Sequence, residues 1–348
     1  MIKIRKALLS LACAALASSA WAAAPKYIFY FIGDGMGPGQ VMNAETYNRL
    51  VLGSDKTLTM SSLPVNSYAT TYSASSPVTD SAAAGTALST GHKTKNGMLG
   101  MNPDTIAVTS VAETLKKNGF GIGIITTVAA DDATPGAFYA HVPNRKMYYE
   151  IGRQAAQSDY EVIAGASMRG ASKNGKSTGL IEYIESNDVV IAKSLDDMAG
   201  TDSRRVMLLP DKALWEWNMG YTIDSIAGEP TLAQITSATI DHLMKHTPDR
   251  FFIMAEGGNI DHAGHANDGG TAVKEVLAFD QAIARALDFY NAHPDETLIV
   301  ITADHETGGM SVGNNFTGYN TYPQYLAAQR MSKEAFSKHC DRLIEDKT

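Results

Sequence analysis

An α/β fold, a three-layer α/β/α sandwich around a mostly parallel central sheet, is what this 348-residue sequence predicts. Three observations carry that expectation. Four short runs are continuously apolar and β-favouring, amphipathic helical stretches separate them, and polar residues gather just after each run. The first run, Tyr27 to Ile32, stops at Gly33-Asp34-Gly35. The others are Ile122 to Ile125, Phe251 to Ala255 and Leu298 to Ile301. A strand buried on both faces needs such an unbroken apolar run, because no side of it meets water. Helical stretches around 109–118, 231–246 and 270–291 supply the crossovers that parallel strands require. The length suffices for one large domain or two ordinary ones. The stretch 165–230, with a weak strand at Val189–Ile191 and a Trp215-Glu216-Trp217 segment, reads as a substrate-side elaboration of the same domain.

The chain opens differently. Lys3, Arg5 and Lys6 precede an apolar stretch from Ala7 to Leu16, and Ala20-Trp21-Ala22 supplies a small-x-small cleavage pattern. These features predict a secretory signal peptide over residues 1–22, cut after Ala22, and an exported catalytic domain, periplasmic or extracellular, over residues 23–348. Ser10 stands where a lipobox has leucine, so Cys13 is not read as a lipid anchor. No later segment offers the ~18 continuous apolar residues of a membrane span. Without the leader, 26 Lys and Arg stand against 37 Asp and Glu, a net charge of −11. Such an acidic chain is a poor partner for nucleic acid. An anionic substrate would need local positive charge, from metal ions or a well-placed arginine. Cleavage leaves Cys340 as the sole cysteine, which excludes an intrachain disulfide.

Ligands of open α/β sheets bind beyond the carboxyl ends of the strands. Asp34, Asp132 with Thr134, Glu256 with Asp261 and His265, and Asp304 with His305 all follow the apolar runs. Asp261 and His265, four apart, share one face of a helix, and carboxylate with imidazole suits zinc. Glu256 ends a buried strand, where a carboxylate needs a cation or hydrogen bonds. Asp304 and His305 can chelate one ion from a turn. The glycines around Asp34 allow a sharp bend and a close approach. Any one of these segments also describes an ordinary polar loop; their recurrence at four strand ends argues for a metal cluster. Val78-Thr79-Asp80-Ser81 opens a small-residue helix, where Asp80 or Ser81 would serve as N-cap. Ser81 at a helix N-terminus also faces the end that attracts anions. No G-x-S-x-G elbow and no nearby histidine supports a Ser-His-Asp triad, but a metal can activate a serine instead.

Together the segments resemble the alkaline phosphatase family. The resemblance rests on Val78–Ser81 with Ser89-Thr90-Gly91, on Asp132-Ala133-Thr134-Pro135 with His141-Val142-Pro143-Asn144-Arg145, on Glu256-Gly257-Gly258 through His265, and on Thr302-Ala303-Asp304-His305. It implies that Ser81 is the nucleophile and Arg145 the residue that grips two phosphate oxygens. It further implies one zinc held by Asp261 and His265, and a second zinc held by Asp34, Ser81, Asp304 and His305. One magnesium would sit on Asp34, Thr134 and Glu256, while Asp132 and His262 orient water just outside. Phosphate monoesters would be cleaved through a phosphoserine, and a homodimer is one assembly open to the chain. The family adds a third ligand to the first zinc, a histidine well downstream of the Asp-His pair. Beyond His305 this sequence offers only His339, which reads as a surface histidine of a helix over 322–347. The expectation is therefore a chain truncated relative to the family, with a first zinc site one ligand short. A metal-binding member without catalysis is the competing reading. A diesterase is disfavoured, because Arg145 would recognise oxygens that a diester has esterified, and a sulfatase because the sequence lacks the distinct motif with a modified Cys or Ser.

Overall fold

The structure, a computed structural model, describes residues 24–211, 217–225 and 228–345. The expected leader at 1–22 and two residues of the Trp215-Glu216-Trp217 segment lie outside these. Seven strands form one sheet: β1 (Tyr27–Gly33), β2 (Gly121–Thr126), β3 (Val162–Ala164), β4 (Val190–Ala192), β5 (Val206–Leu208), β6 (Phe251–Glu256) and β7 (Thr297–Ala303). Their order is β4-β5-β3-β2-β6-β1-β7, and every pairing is parallel.

The period of two along each strand divides the core. Phe29, Phe31, Phe251 and Ile253 face one side; Ile122, Ile124, Phe252 and Met254 face the other. Against the first face pack α1 (Pro38–Leu50), through Ala44 and Tyr47, and α8 (Leu232–His246), through Ile235 and Leu243. The long helix α10 (Gly269–Ala292) adds Val273, Val276 and Phe279 there. Against the second face lie α2 (Ser81–Thr90), α3 (Val111–Lys117), α4 (Ala133–Gly136), α5 (Tyr148–Gln157) and α6 (Leu180–Glu185). Each fully buried phenylalanine contributes on the order of 1.5–3 kcal/mol of transfer free energy, so the two apolar layers carry the fold without a disulfide.

Helix ends follow the sequence signals. Ser110 with Glu113 and Thr231 with Gln234 close capping boxes at α3 and α8. The stretch 165–230 turns out to build part of the sheet: it supplies β4, β5 and α7 (Leu195–Gly200), besides a small hairpin at 172–177. Tyr322 onward contains two helices, α11 (Gln324–Ala327) and α12 (Lys333–Glu345), and α12 buries no residue. No helix among the described residues is long and apolar enough to cross a membrane.

The four strands that carry the sequence signals are neighbours, in the order β2-β6-β1-β7. Register aligns their ends: Glu256 lies level with Ile32 and Thr126, and Gly33 with Ala303. Asp34 and Asp304 therefore leave adjacent strands at the same height.

Candidate active site

Beyond β1 and β7 the two loops lock together. Gly35 donates its N–H to Asp304 Oδ1 at 3.0 Å, and His305 N–H donates to the same oxygen at 2.9 Å. Gly35 has a positive φ of 64°, and a Cβ there would lie 2.7 Å from Asp261 Oδ1 and 2.8 Å from Thr307 Oγ1. Only glycine fits this crossing. Asp34, Asp304 and His305 bring their ligand atoms within 4.8 Å of one another. His305 Nε2 lies 3.3 Å from Asp34 Oδ1 and 3.4 Å from Asp304 Oδ2.

The imidazole is oriented from behind. Its Nδ1 lies 3.2 Å from the Glu306 carbonyl oxygen and 3.2 Å from Thr307 Oγ1. Thr307 spends its own hydroxyl proton on Asp261 Oδ1. Both neighbours of Nδ1 are thus acceptors, so Nδ1 carries a proton and Nε2 is the nitrogen turned to the carboxylates. Three ligand-type atoms gathered this closely could hold a cation between them. Asp34 Oδ1 and Asp304 Oδ2 are moreover buried without a hydrogen-bond donor. Burial, with the Asp304, Asp261 and Glu256 charges, pushes Asp34 well above the usual carboxylate range. Asp304 is also pushed up, chiefly by burial. This donor set, two carboxylates and one neutral imidazole, fits zinc.

Ser81 completes the group. Asp80, not Ser81, is the N-cap of α2: its carboxylate accepts from Ala83 N–H at 3.0 Å and from Gly97 N–H at 2.9 Å. Ser81 is the first helical residue, buried, with Oγ 3.2 Å from His305 Nε2. Arg145 reaches the same helix end, with Nη1 3.3 Å from Asp80 Oδ2 and Nη2 3.3 Å from Asp132 Oδ1.

Glu256 ends β6 fully enclosed, where burial pushes it up to about 8 despite the hydroxyl that Thr126 donates. Thr134 Oγ1, in α4, is buried with no hydrogen-bond partner. An orphaned hydroxyl and a buried carboxylate suit a hard cation such as magnesium. The pair Asp261 and His265 occupies one face of α9 (Asn259–His265), Nε2 to Oδ2 3.3 Å apart. The His265 side chain is 71% exposed. Among the described residues, the Asp34, Asp304 and His305 trio is the group of three such ligands; Asp261 and His265 have no third. His262 is held below the usual histidine range by burial, which outweighs the Asp132 and Asp261 carboxylates. His339 lies exposed on α12.

Sequence reasoning passed over Thr307, Asp131 and Arg169. Thr307 stands two residues after His305, and its offset alone could have suggested a loop-locking role. Arg169 follows β3, a three-residue strand too short to be seen. Its backbone N–H donates to Asp131 Oδ1 at 2.8 Å, and its Nη2 lies 3.1 Å from Asp132 Oδ2. Asp132 is pushed up by burial, but Arg169 and Arg145 outweigh that and hold it below its usual value.

Comparison with known proteins bears on the family and the fold. The family model described as alkaline phosphatase matches residues 25–174 and 192–342. The repressible alkaline phosphatase of Saccharomyces cerevisiae is 32% identical over 333 residues, covering 86% of this chain and 58% of its own length. The chain thus spans less than two thirds of that relative. The cold-active alkaline phosphatase of a psychrophilic Shewanella superposes with a TM-score of 0.80 at 30% identity, over 90% of this chain and 76% of that one. A mutant alkaline phosphatase of the Antarctic bacterium TAB5, solved with Mg bound in its M3 site, gives 0.73 at 30% identity, over 86% and 84%. A family model spanning most of the chain, and relatives that share its sheet, leave one assignment: this chain belongs to the alkaline phosphatase family.

Proposed function

We propose that this chain is an exported hydrolase of phosphate monoesters that works through a phosphoserine on Ser81. The observation that carries the reading is the Ser81 hydroxyl, 3.2 Å from His305 Nε2 at the start of α2, with Arg145 tied to the cap of the same helix. Asp34, Ser81, Asp304 and His305 would hold one zinc, Asp261 and His265 another, and Asp34, Thr134 and Glu256 a magnesium. When bound, these ions supply Lewis acidity, which lowers the pKa of hydroxyl groups and offsets charge on phosphoryl oxygens.

The chain's own groups do the rest. Arg145 lets go of Asp80 and offers its planar fork to two phosphoryl oxygens, a geometry lysine cannot copy. Ser81 Oγ attacks phosphorus in line with the ester oxygen; the P–O bond to the alcohol breaks as the bond to Oγ forms. Water then attacks the phosphorus of the phosphoserine, the P–Oγ bond breaks, Oγ takes up a proton given by that water, and inorganic phosphate departs. Asp132, fixed by Arg145 and Arg169, and neutral His262 lie where they can orient water. A monoester presents the free oxygens that the fork needs, and a diester does not.

Ser81→Ala is expected to abolish nearly all hydrolysis of an aryl phosphate while metal content stays close to the parent's, because the carboxylates and His305 remain. Acid quenching with labelled phosphate should mark Ser81. A label on another residue, or parent-like turnover in the variant, would refute the assignment. One feature favours a second reading, metal binding without catalysis: Asp261 and His265 lack a third ligand among the described residues. Turnover that depends on Ser81 excludes it.

A further inference from the structure

We propose that Arg169 is a second anion-recognition residue, one that selects substrates whose leaving group carries a phosphoryl or carboxylate group close to the ester oxygen. The inference deepens the phosphatase reading above and rests on it for the placement of the first phosphoryl group.

Asp132 is shared between two arginines. Its Oδ1 lies 3.3 Å from Arg145 Nη2 and its Oδ2 lies 3.1 Å from Arg169 Nη2. One carboxylate therefore spaces two guanidinium groups, close enough for two anions separated by one or two atoms. Arg145 belongs to the Ser81 side of the pair. Arg169 lies on the other side, in the lining of a cavity of about 460 Å³ that includes Trp217, His262, His265, Lys333 and Glu334. His262 and His265 of α9 line the same space. Arg169 and Lys333 against Glu334 leave that lining with a net positive charge, which favours an anion.

Arg169 is also built to stay in place. Its backbone N–H and that of Gly170 are both gripped by the buried Asp131 carboxylate, at 2.8 and 2.7 Å. The guanidinium carbon lies 5.2 Å from the Tyr148 ring centre and 5.4 Å from that of Trp217. Nη1 donates to the Tyr148 hydroxyl at 3.0 Å. These contacts leave donors over, because each Nη has a second hydrogen. A planar fork fixed by two rings and a carboxylate loses little entropy on meeting another anion.

The test compares two ligands of matched size that cannot be hydrolysed, phosphonoacetate and ethylphosphonate, by calorimetry on the zinc- and magnesium-loaded chain. The first carries a carboxylate where the second has a methyl group. The parent is expected to prefer phosphonoacetate, and Arg169→Ala to reduce that preference about tenfold, the scale of one charge-assisted bond. Ethylphosphonate binding should change less than about twofold. Arg169→Lys, with an unchanged melting temperature, should keep part of the preference; it decides the matter if the alanine variant does not fold. Equal weakening of both ligands would show that Arg169 acts only by steadying Asp132 and Arg145, and an unchanged preference would overturn the proposal as well. Neither ligand reacts, so failure of Ser81 labelling sinks the catalytic reading and leaves this ratio measurable.

Discussion

Two groups of ligand-type side chains lie beyond the carboxyl ends of the strands, and they are built in opposite ways. Asp34, Asp304 and His305 come from the ends of two paired strands, lie within 4.8 Å of one another, and are braced by backbone N–H groups and by Thr307. Asp261 and His265 come from one turn of a seven-residue helix; Asp261 is buried, but the imidazole is 71% exposed. Strand ends are held by the whole sheet, so three groups arrive preorganised. One helical turn fixes two residues relative to each other and leaves the rest of the coordination sphere to be supplied. Preorganisation lowers the cost of binding, and zinc in a stable site wants about four ligands. The two sites should therefore differ in affinity, rigidity and tolerance of mutation.

Paired deletions are the strongest way to break this comparison. His305→Ala removes the imidazole that touches Asp34, Asp304 and Ser81 together. It is expected to lower aryl phosphate turnover about 10²–10³-fold, the scale of deleting one fixed electrostatic stabiliser, without rescue by added zinc. His265→Ala, at an exposed position, should lose less and recover in part when zinc is raised. Steady-state kinetics over a zinc titration decide it, and equal losses with equal rescue would erase the distinction between the sites.

Much of this was legible before any coordinates. The four apolar runs became β1, β2, β6 and β7, because strands buried on both faces cannot alternate and so announce themselves. The loops after β1 and β7 brought Asp34, Asp304 and His305 together, with Glu256 ending the strand beside them, since parallel neighbours end at one edge. Strands β3, β4 and β5 span three residues each, too short for a periodic signal; β4 still showed as the weak run Val189–Ile191, in a stretch read as substrate-side, while β3 and β5 did not. Arg169 was hidden for the same reason: nothing near it in sequence points to Asp132 or to the rings of Tyr148 and Trp217. The choice of N-cap between Asp80 and Ser81 needed the helix itself, because both side chains can cap.

A smaller effect sharpens the same contrast. Under a weak chelator, zinc on Asp261 and His265 should leave first, while zinc on the trio remains. The partly stripped chain is expected to lose most of its turnover and regain it on adding free zinc, with metal content falling in two steps. Metal analysis by mass spectrometry, run beside activity, checks both. Loss in one step, with parent activity at every free zinc level, would mean that the first site finds a further ligand.

The least effect concerns stability rather than rate, and it comes from the enclosed carboxylates. In the metal-free chain, burial lifts Glu256 from 4.5 to about 8. The sign follows from proton binding. Between those two values the folded chain holds a proton that the unfolded chain has lost, so unfolding becomes easier as pH rises. The penalty is absent below about pH 4.5, grows up to about pH 8 and is level above that. Asp34 and Asp304 are raised too, and they add in the same direction. Glu256→Gln keeps an oxygen for the Thr126 hydroxyl and removes the charge. It should therefore flatten part of the slope and stabilise the metal-free chain at pH 8 by on the order of 1–3 kcal/mol. Loading with zinc and magnesium should reverse the ranking, because the parent carboxylate then meets a cation and the amide does not. Melting temperatures from pH 5 to 9, with and without chelator, separate these cases. Parallel curves for parent and variant under both conditions would mean that Glu256 sits in a wetter site, open to water like His265 rather than enclosed like Asp304.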